Sequence, residues 1–164
     1  MFDGYFGFIL NGDTTLLPGE ILDINQAEMI TQSIKPNVAI VTDVTHDTST
    51  PLMNKKNLGD VKSGKGPSVT YAPAVHNKLL DLIIDTAEKK KIPFQREASS
   101  RRTGTDTDAF AYSNGGVPAA LISLPLRYMH TTVEMAHKDD VENVIKLIYE
   151  SILKIKNNHN WKYF

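Results

Sequence analysis

Residues 38–44 read Val-Ala-Ile-Val-Thr-Asp-Val, and this run of apolar and β-branched residues decides the fold. A nearly uninterrupted apolar run of this length is typical of a strand that is buried on both faces of a sheet. Residues 118–124, Pro-Ala-Ala-Leu-Ile-Ser-Leu, predict a second buried strand. Strands that are covered on both faces need helices above and below them, so the two runs favour an α/β fold.

The spacing of apolar residues predicts two long amphipathic helices, over 76–91 and 139–157. The apolar stripe of the second helix contains Val141, Val144, Ile145, Ile148, Ile152 and Ile155. Shorter elements are expected as well, namely helices over 27–34 and 105–114 and strands over 68–72 and 93–98. Because strands alternate with helices, we expect an α/β/α sandwich with a mostly parallel sheet.

Residues 1–26 differ in composition from the rest of the chain, since they contain four acidic residues and no Lys or Arg. Within them, Asn11-Gly12 separates two apolar runs. Asn-Gly in such a position is a strong hairpin signal, because both residues tolerate a positive φ. We therefore divide the chain into an N-terminal segment, 1–26, with an expected β-hairpin, and a second unit, 27–164.

The composition of the chain excludes several functions. The 164 residues include 18 Lys and Arg, 19 Asp and Glu, and no Cys. A nearly neutral protein has no field that steers nucleic acid or membranes, so neither is expected as a partner. The lack of Cys excludes disulfides, a Cys nucleophile and thiolate metal sites. Without an 18-residue apolar stretch or the basic region of a signal peptide, the chain is expected to be soluble and cytoplasmic.

Two residues at the ends of the buried runs are candidates for chemistry. Asp43 lies inside the first run, where a carboxylate is costly unless it is paired or ligates a cation. His130 lies six residues beyond the second run. Ligands of α/β sheets bind at the C-terminal ends of strands, which favours a functional role for both residues. The alternatives are an Asp that caps a turn and a His that is packed or exposed.

Weaker motifs have structural explanations as well as functional ones. Residues 59–66, Gly-Asp-Val-Lys-Ser-Gly-Lys-Gly, match a phosphate loop except that Gly66 replaces the Ser or Thr that binds magnesium. A strand is expected to follow this loop, so the helix N-terminus that holds phosphate is missing. His46-Asp47 would extend a metal site or belong to a polar loop. His137 and Asp139 resemble a His-x-Asp ligand pair, but Asp139 is better explained as the cap of the last helix.

The segment 103–108, Thr-Gly-Thr-Asp-Thr-Asp, opens a predicted helix. Its backbone N–H groups are placed to meet an anionic or carbonyl group of a ligand. Capping by Thr105 and Asp108 explains the same residues without a ligand. Thr105 and Asp106, together with Arg127 near His130, are the candidate substrate-binding residues.

Five short motifs occur in order along the chain, at 38–45, 64–67, 104–106, 116–118 and 127–134 (Arg-Tyr-Met-His-Thr-Thr-Val-Glu). Together they resemble the C-terminal part of the M42 metallo-aminopeptidases, a group that includes glutamyl aminopeptidase, endoglucanase-M-like proteins and tetrahedral aminopeptidases. The resemblance covers about residues 27–157. It implies a zinc-peptidase-like α/β/α catalytic domain, a site with two zinc or cobalt ions, a peptide substrate cleaved at its N-terminal residue, and a homo-oligomer.

By this resemblance, Asp43 ligates one metal and His130 ligates the other, and these donors suit zinc or cobalt. The family's other ligands and its general-base Glu lie upstream, in a His-x-Asp pair, a bridging Asp and an adjacent Glu-Glu. This chain has no Glu-Glu and no His before His46. We therefore assign no catalytic residue and expect weak or absent metal binding by this chain.

These departures leave rival hypotheses for the function. The leading one is a partial catalytic domain of a metallo-aminopeptidase that is inactive alone. The alternative is a non-catalytic binding or assembly module that keeps the peptidase fold. A nucleotide-binding protein that uses residues 59–66 has the least support.

Overall fold

The computed structural model describes residues 5–10, 16–17, 21–22 and 24–163. The helices and strands expected from residue 27 onward are present, with ends shifted by a few residues. In chain order, the elements are β1 (Tyr5–Leu10), β2 (Leu16–Leu17), β3 (Ile21–Leu22), α1 (Ile24–Ile34), β4 (Val38–His46), α2 (Lys55–Leu58), β5 (Ser68–Tyr71), α3 (Asn77–Lys90), β6 (Gln95–Ala98), α4 (Asp106–Tyr112), β7 (Ala119–Arg127), β8 (Met135–Ala136) and α5 (Lys138–Ile152).

The strands β4 and β7 form the centre of the sheet. They pair in parallel from Ala39 opposite Ala119 to His46 opposite Leu126. The first four residues of β4 and the first five of β7 are buried without alternation, as expected for strands covered on both faces. The prediction of two buried strands from their apolar runs is therefore confirmed, and the structure adds that the two are direct neighbours.

The sheet is mixed in strand direction. Its order is β2-β1-β4-β7-β5-β6, with β3 beside β1 and β8 beside β7. The pairs β4–β7 and β5–β6 are parallel, whereas β1–β4 and β5–β7 are antiparallel. This differs from the mostly parallel sheet that we expect from alternating strands and helices. The connection from β4 to β5 contains only the four-residue helix α2, so it lacks the long crossover helix that usually joins parallel strands.

The helices pack in two pairs, α1 with α4 and α3 with α5, and both α4 and α5 contact β7. These contacts complete the expected α/β/α arrangement. None of the helices in the described part of the chain is long and apolar enough to cross a membrane. The largest fully buried side chains include Phe110 of α4, Leu79, Leu80 and Ile83 of α3, and Leu147 of α5.

The N-terminal strands join the same sheet. The backbone of β1 pairs antiparallel with β2, with Ile9 opposite Leu17, and also with β4. The expected turn at Asn11-Gly12 lies outside the described residues, so the hairpin stays a prediction. The boundary at residue 26 likewise stays a prediction.

The loop that matches the phosphate-binding pattern holds an anionic group of its own chain. Asp140 of α5 is fully buried. Its carboxylate accepts hydrogen bonds from the backbone N–H groups of Gly64, at 2.5 Å, and Gly66, at 2.7 Å. A Cβ at Gly66 would lie 2.2 Å from the carbonyl oxygen of Pro93, so glycine is required there. Because these N–H groups are engaged and a strand follows, the loop does not support nucleotide binding.

The cap of α5 is His137 and not Asp139, so the prediction that Asp139 caps this helix is wrong. The backbone of His137 is extended, and its Nδ1 accepts a hydrogen bond from the N–H of Asp139 at 3.3 Å. The helix therefore begins one residue earlier than expected, with Asp139 in its first turn. This local contact accounts for the His-x-Asp spacing of the two residues.

We expect Asp140→Ala to lower the free energy of unfolding by about 2–4 kcal/mol, because it leaves the N–H of Gly64 and the buried N–H of Gly66 without an acceptor. Urea denaturation followed by circular dichroism measures this loss. The neighbouring Asp139→Ala is the matched control, with an expected change within about 0.5 kcal/mol, since that side chain is largely exposed. Equal effects of the two substitutions would contradict the anchoring role of Asp140.

Candidate functional site

Candidate residues from two strands meet at one edge of the sheet. In the parallel pair, Asp43 lies opposite Ser123, and His46 ends β4 opposite Leu126. His130 follows the end of β7 by three residues. The centroids of the His46 and His130 rings lie 6.5 Å apart, in an edge-on arrangement. The C-terminal ends of β4 and β7 therefore place Asp43, His46 and His130 along the same edge of the sheet.

The environment of Asp43 makes its charge costly. The side chain is half-buried, and one carboxylate oxygen accepts a hydrogen bond from the backbone N–H of Val44 at 2.7 Å. The pKa of the Asp43 carboxyl is raised to about 7, chiefly by burial. The Val44 hydrogen bond lowers this pKa, and the charge of Asp106 raises it further. A cation beside these carboxylates would favour the ionised form, since it supplies the missing opposite charge.

A tight turn presents His130. Tyr128 and His130 both have positive φ angles, 54° and 65°, which non-glycine residues adopt at a cost of about 1 kcal/mol or more. Hydrogen bonds hold the turn: the Glu134 carboxylate accepts from the N–H of His130, and the Thr131 hydroxyl donates to the carbonyl of Tyr128 at 2.6 Å. The imidazole of His130 is exposed, so it is open to a ligand.

The start of α4 brings one of the substrate-binding candidates toward Asp43. Thr105 is the N-cap, as predicted, and its hydroxyl also contacts the hydroxyls of Thr103 and Thr107, each at 2.9 Å. Asp106 is 2% exposed and close enough to Asp43 to raise the pKa of that carboxyl. Asp106 is therefore within electrostatic range of Asp43, whereas the hydroxyl of Thr105 is used within the cap.

Arg127 and Asp47 interact electrostatically with each other. The guanidinium of Arg127 lies over the ring of Tyr128, 5.2 Å from its centroid. Asp47 accepts hydrogen bonds from the N–H and the hydroxyl of Ser49, at 2.7 and 2.6 Å. Burial raises the pKa of Asp47, but these hydrogen bonds and the charge of Arg127 outweigh burial, so the pKa is lowered. Asp47 thus stabilises a turn, while its neighbour His46 faces His130.

Glu97, a half-buried residue of β6, is not among the candidates that the sequence patterns predict. One of its carboxylate oxygens accepts a hydrogen bond from the hydroxyl of Thr45, and the other from that of Ser68, both at 2.8 Å. These bonds connect β6 to the end of β4 and to β5. The only sequence signal was an acidic residue inside a short predicted strand, the kind of signal that singled out Asp43.

Glu97 also lines a cleft of about 540 Å³ together with His46, Ser123 and Met129. Ser123 is the strand partner of Asp43, and Met129 precedes His130, so the cleft opens beside the candidate site. A second cleft, of about 590 Å³, is lined by Pro118 at the other end of β7. We place the function at the first cleft, because Asp43 and His130 are at that edge.

The side chains at this edge are of the types that bind divalent metals. A carboxylate and an imidazole suit zinc or cobalt. Over the described ranges, 5–10, 16–17, 21–22 and 24–163, no group of three or more His, Asp or Glu side chains is placed to hold an ion. Asp43 and His130 would therefore bind a metal tightly only if other ligands joined them.

Comparison with known proteins gives consistent matches over most of the chain. A sequence model described as M42 glutamyl aminopeptidase matches residues 22–147. The lysyl aminopeptidase of Pyrococcus furiosus is 36% identical over 137 residues, which are 84% of this chain and 39% of that protein.

Two solved structures have similar backbones. An aminopeptidase from the archaeon Desulfurococcus kamchatkensis is 29% identical with a TM-score of 0.75, and the match covers 88% of this chain and 41% of that one. PhTET1-12s, a dodecamer in its crystal's asymmetric unit, is 25% identical with a TM-score of 0.68 over 82% of this chain and 39% of that one. The chain thus spans about two-fifths of the length of the relatives it matches.

The raised pKa of Asp43 predicts that the metal-free chain becomes less stable as the pH rises. The carboxyl titrates near 3.8 when unfolded and at about 7 when folded. Between these values the folded state holds the extra proton, so the free energy of unfolding falls by up to about 1.4 kcal/mol per pH unit, less where water reaches the group. We expect Asp43→Asn to flatten this fall and to stabilise the chain at pH 8.

Urea denaturation at several pH values between 4 and 8 measures this effect. Asp85→Asn is the control, because Asp85 is an exposed carboxyl that pairs with Lys89. Its stability should follow the wild-type curve within about 0.5 kcal/mol. If Asp43→Asn also follows the wild-type curve at every pH, the proposed environment of Asp43 is wrong.

Proposed function

Because the chain belongs to the M42 glutamyl aminopeptidase family, we propose that it supplies one part of a metal-dependent aminopeptidase site. In this proposal Asp43 is a ligand of one divalent ion, zinc or cobalt, and His130 is a ligand of the second. The observation that carries the proposal is the convergence of a carboxylate and an exposed imidazole at the C-terminal edge of β4 and β7.

When bound, two such ions supply Lewis-acid polarisation of a peptide carbonyl and lower the pKa of water. The chain's own residues orient the donors. Val44 fixes one oxygen of Asp43, and Glu134 fixes the turn that presents His130. The peptide lies along the cleft beside Ser123 and Glu97. Of the three substrate-binding candidates we favour Asp106, because its charge contributes to the raised pKa of Asp43.

The alternative function is a non-catalytic binding or assembly module with the peptidase fold. It is supported by the number of donors: the described residues place no third ligand at the edge, and the chain has no Glu-Glu for a general base. In the leading proposal, the remaining ligands and the base come from another segment or another chain. Metal binding distinguishes the two functions.

We also propose that the protein associates with copies of itself, by analogy with the dodecameric relative. We further propose that the substrate is a peptide and that the protein is cytoplasmic.

We expect zinc or cobalt to bind this chain weakly, in about the micromolar to millimolar range, because two ligands leave each ion mostly to water. Asp43→Asn and His130→Ala should each weaken the measured binding at least about tenfold. Isothermal titration calorimetry gives the affinities. His159→Ala is the control, since His159 packs against Trp161 and should leave the affinity unchanged.

The result decides between the two functions. Loss of binding in both variants but not in the control supports the metal site. Binding that neither substitution changes overturns the roles of Asp43 and His130 and favours the non-catalytic module.

We expect negligible hydrolysis of amino-acid anilides by the isolated chain, even with zinc or cobalt added. Without a general base, about 10²–10⁴-fold of the rate enhancement is absent. The measurement compares wild type with Asp43→Ala and His130→Ala, purified in parallel to control for a contaminating aminopeptidase. Turnover that needs metal, scales with chain concentration and vanishes in both variants would refute this prediction and reveal a complete site.

A further inference from the structure

The helix α5 is apolar on two sides. Toward the sheet it buries Val144, Leu147 and Ile148, as an amphipathic helix should. A second row lies on its outer side, where exposed fractions are 38% for Val141, 63% for Ile145, 60% for Tyr149 and 59% for Leu153. Residues four apart in a helix are neighbours, so these four form a continuous row from the first turn of α5 to Leu153, its C-cap.

This outer row is not explained by the fold. The spacing of apolar residues predicts that Val141 and Ile145 belong to the core-facing stripe, but both side chains are exposed. The neighbouring helix α3 shows what a solvent-facing surface of this protein looks like, because its exposed positions carry Lys78, Asp81 and Asp85. A second apolar stripe on a surface helix is typical of an interaction surface.

We propose that this face of α5 docks against α5 of a second copy of the chain, antiparallel, around a two-fold axis. A symmetric pairing centred on the stripe places Val141 against Leu153 of the partner subunit, and Ile145 against the partner's Tyr149. Each apolar side chain of the row then has an apolar neighbour from the other copy. Such self-complementary contacts are the rule in two-fold dimers.

The charges at the two ends of the stripe favour a second copy in this orientation. The exposed acidic residues Asp139 and Glu142 lie at the N-terminal end, and the exposed Lys154 and Lys156 follow its C-terminal end. An antiparallel pairing brings each acidic end beside a basic end, whereas a parallel pairing places like charges together. Lys138, also at the N-terminal end, already pairs with Glu142 at 3.5 Å.

This inference rests on the self-association proposed above and not on hydrolytic activity. Sedimentation velocity of the intact chain over about 1–100 μM tests it. We expect a monomer–dimer equilibrium, and we expect Ile145→Lys or Tyr149→Lys to weaken it at least 100-fold. Met29→Lys, at an equally exposed apolar residue of α1, is the matched control. Circular dichroism spectra and melting curves verify that each variant is folded.

The orientation is tested by disulfide cross-linking. Only the introduced Cys residues can form disulfides, because the chain has no Cys of its own. In the proposed pairing, two copies of Val141 lie about 18 Å apart along the helix axes, from a rise of 1.5 Å per residue. That distance exceeds the roughly 7 Å between Cα atoms that a disulfide spans. A mixture of Val141→Cys and Leu153→Cys should therefore form a mixed disulfide, while either variant alone should form little.

The outcomes separate the proposals. A wild-type chain that stays monomeric at 100 μM overturns both the surface and its self-association. A dimer that neither α5 substitution weakens overturns the surface and leaves self-association standing. Rapid disulfide formation by Val141→Cys alone overturns the antiparallel arrangement. A concentration-dependent dimer that only the α5 variants disrupt supports the inference, whatever the metal-binding experiment shows.

Discussion

The parallel pairing of β4 with β7 is the interaction on which the rest of the structure depends. Eight consecutive residue pairs, from Ala39 with Ala119 to His46 with Leu126, bring the C-terminal ends of both strands to one edge. The end of β4 carries Asp43 and His46, and the turn after β7 carries His130. A one-residue shift in this register would turn Asp43 to the other face of the sheet, so the site depends directly on the pairing.

The candidate site contains groups that lower the stability of the folded chain. Asp43 is half-buried near a second carboxylate, Asp106, and the turn of His130 contains two residues with positive φ. Nearby hydrogen bonds offset part of this cost, from Val44 to Asp43 and from His130 to Glu134. Groups held in unfavourable states by their surroundings are characteristic of functional sites. The metal-site proposal accounts for both, because a cation stabilises the ionised carboxylate and uses the exposed imidazole.

The fold treats two candidate ligand sites, the glycine loop and the edge of the sheet, differently. The glycine loop at 59–66 resembles an anion site, yet the buried carboxylate of Asp140 already occupies its N–H groups. At the edge that carries Asp43 and His130, a cleft is lined by Glu97, His46, Ser123 and Met129. The outer face of α5 is a third kind of surface, apolar and uncovered, and it is suited to another protein surface more than to a small ligand.

Local patterns in the sequence determined much of this protein: the two buried strands, the long helices, the Thr105 cap and the candidates Asp43 and His130. Each depends on neighbouring residues, whose periodicity and backbone preferences are visible in the sequence itself. Tertiary structure alone decided that β5 pairs antiparallel with β7 and that Glu97 lies near the end of β4. It also decided that Asp106 acts on Asp43 and that Asp140 binds the glycine loop. It also decided which apolar residues of α5 face the core. These features join residues that are distant in the chain, so strand order, burial and charge proximity produce them, and no local pattern records them.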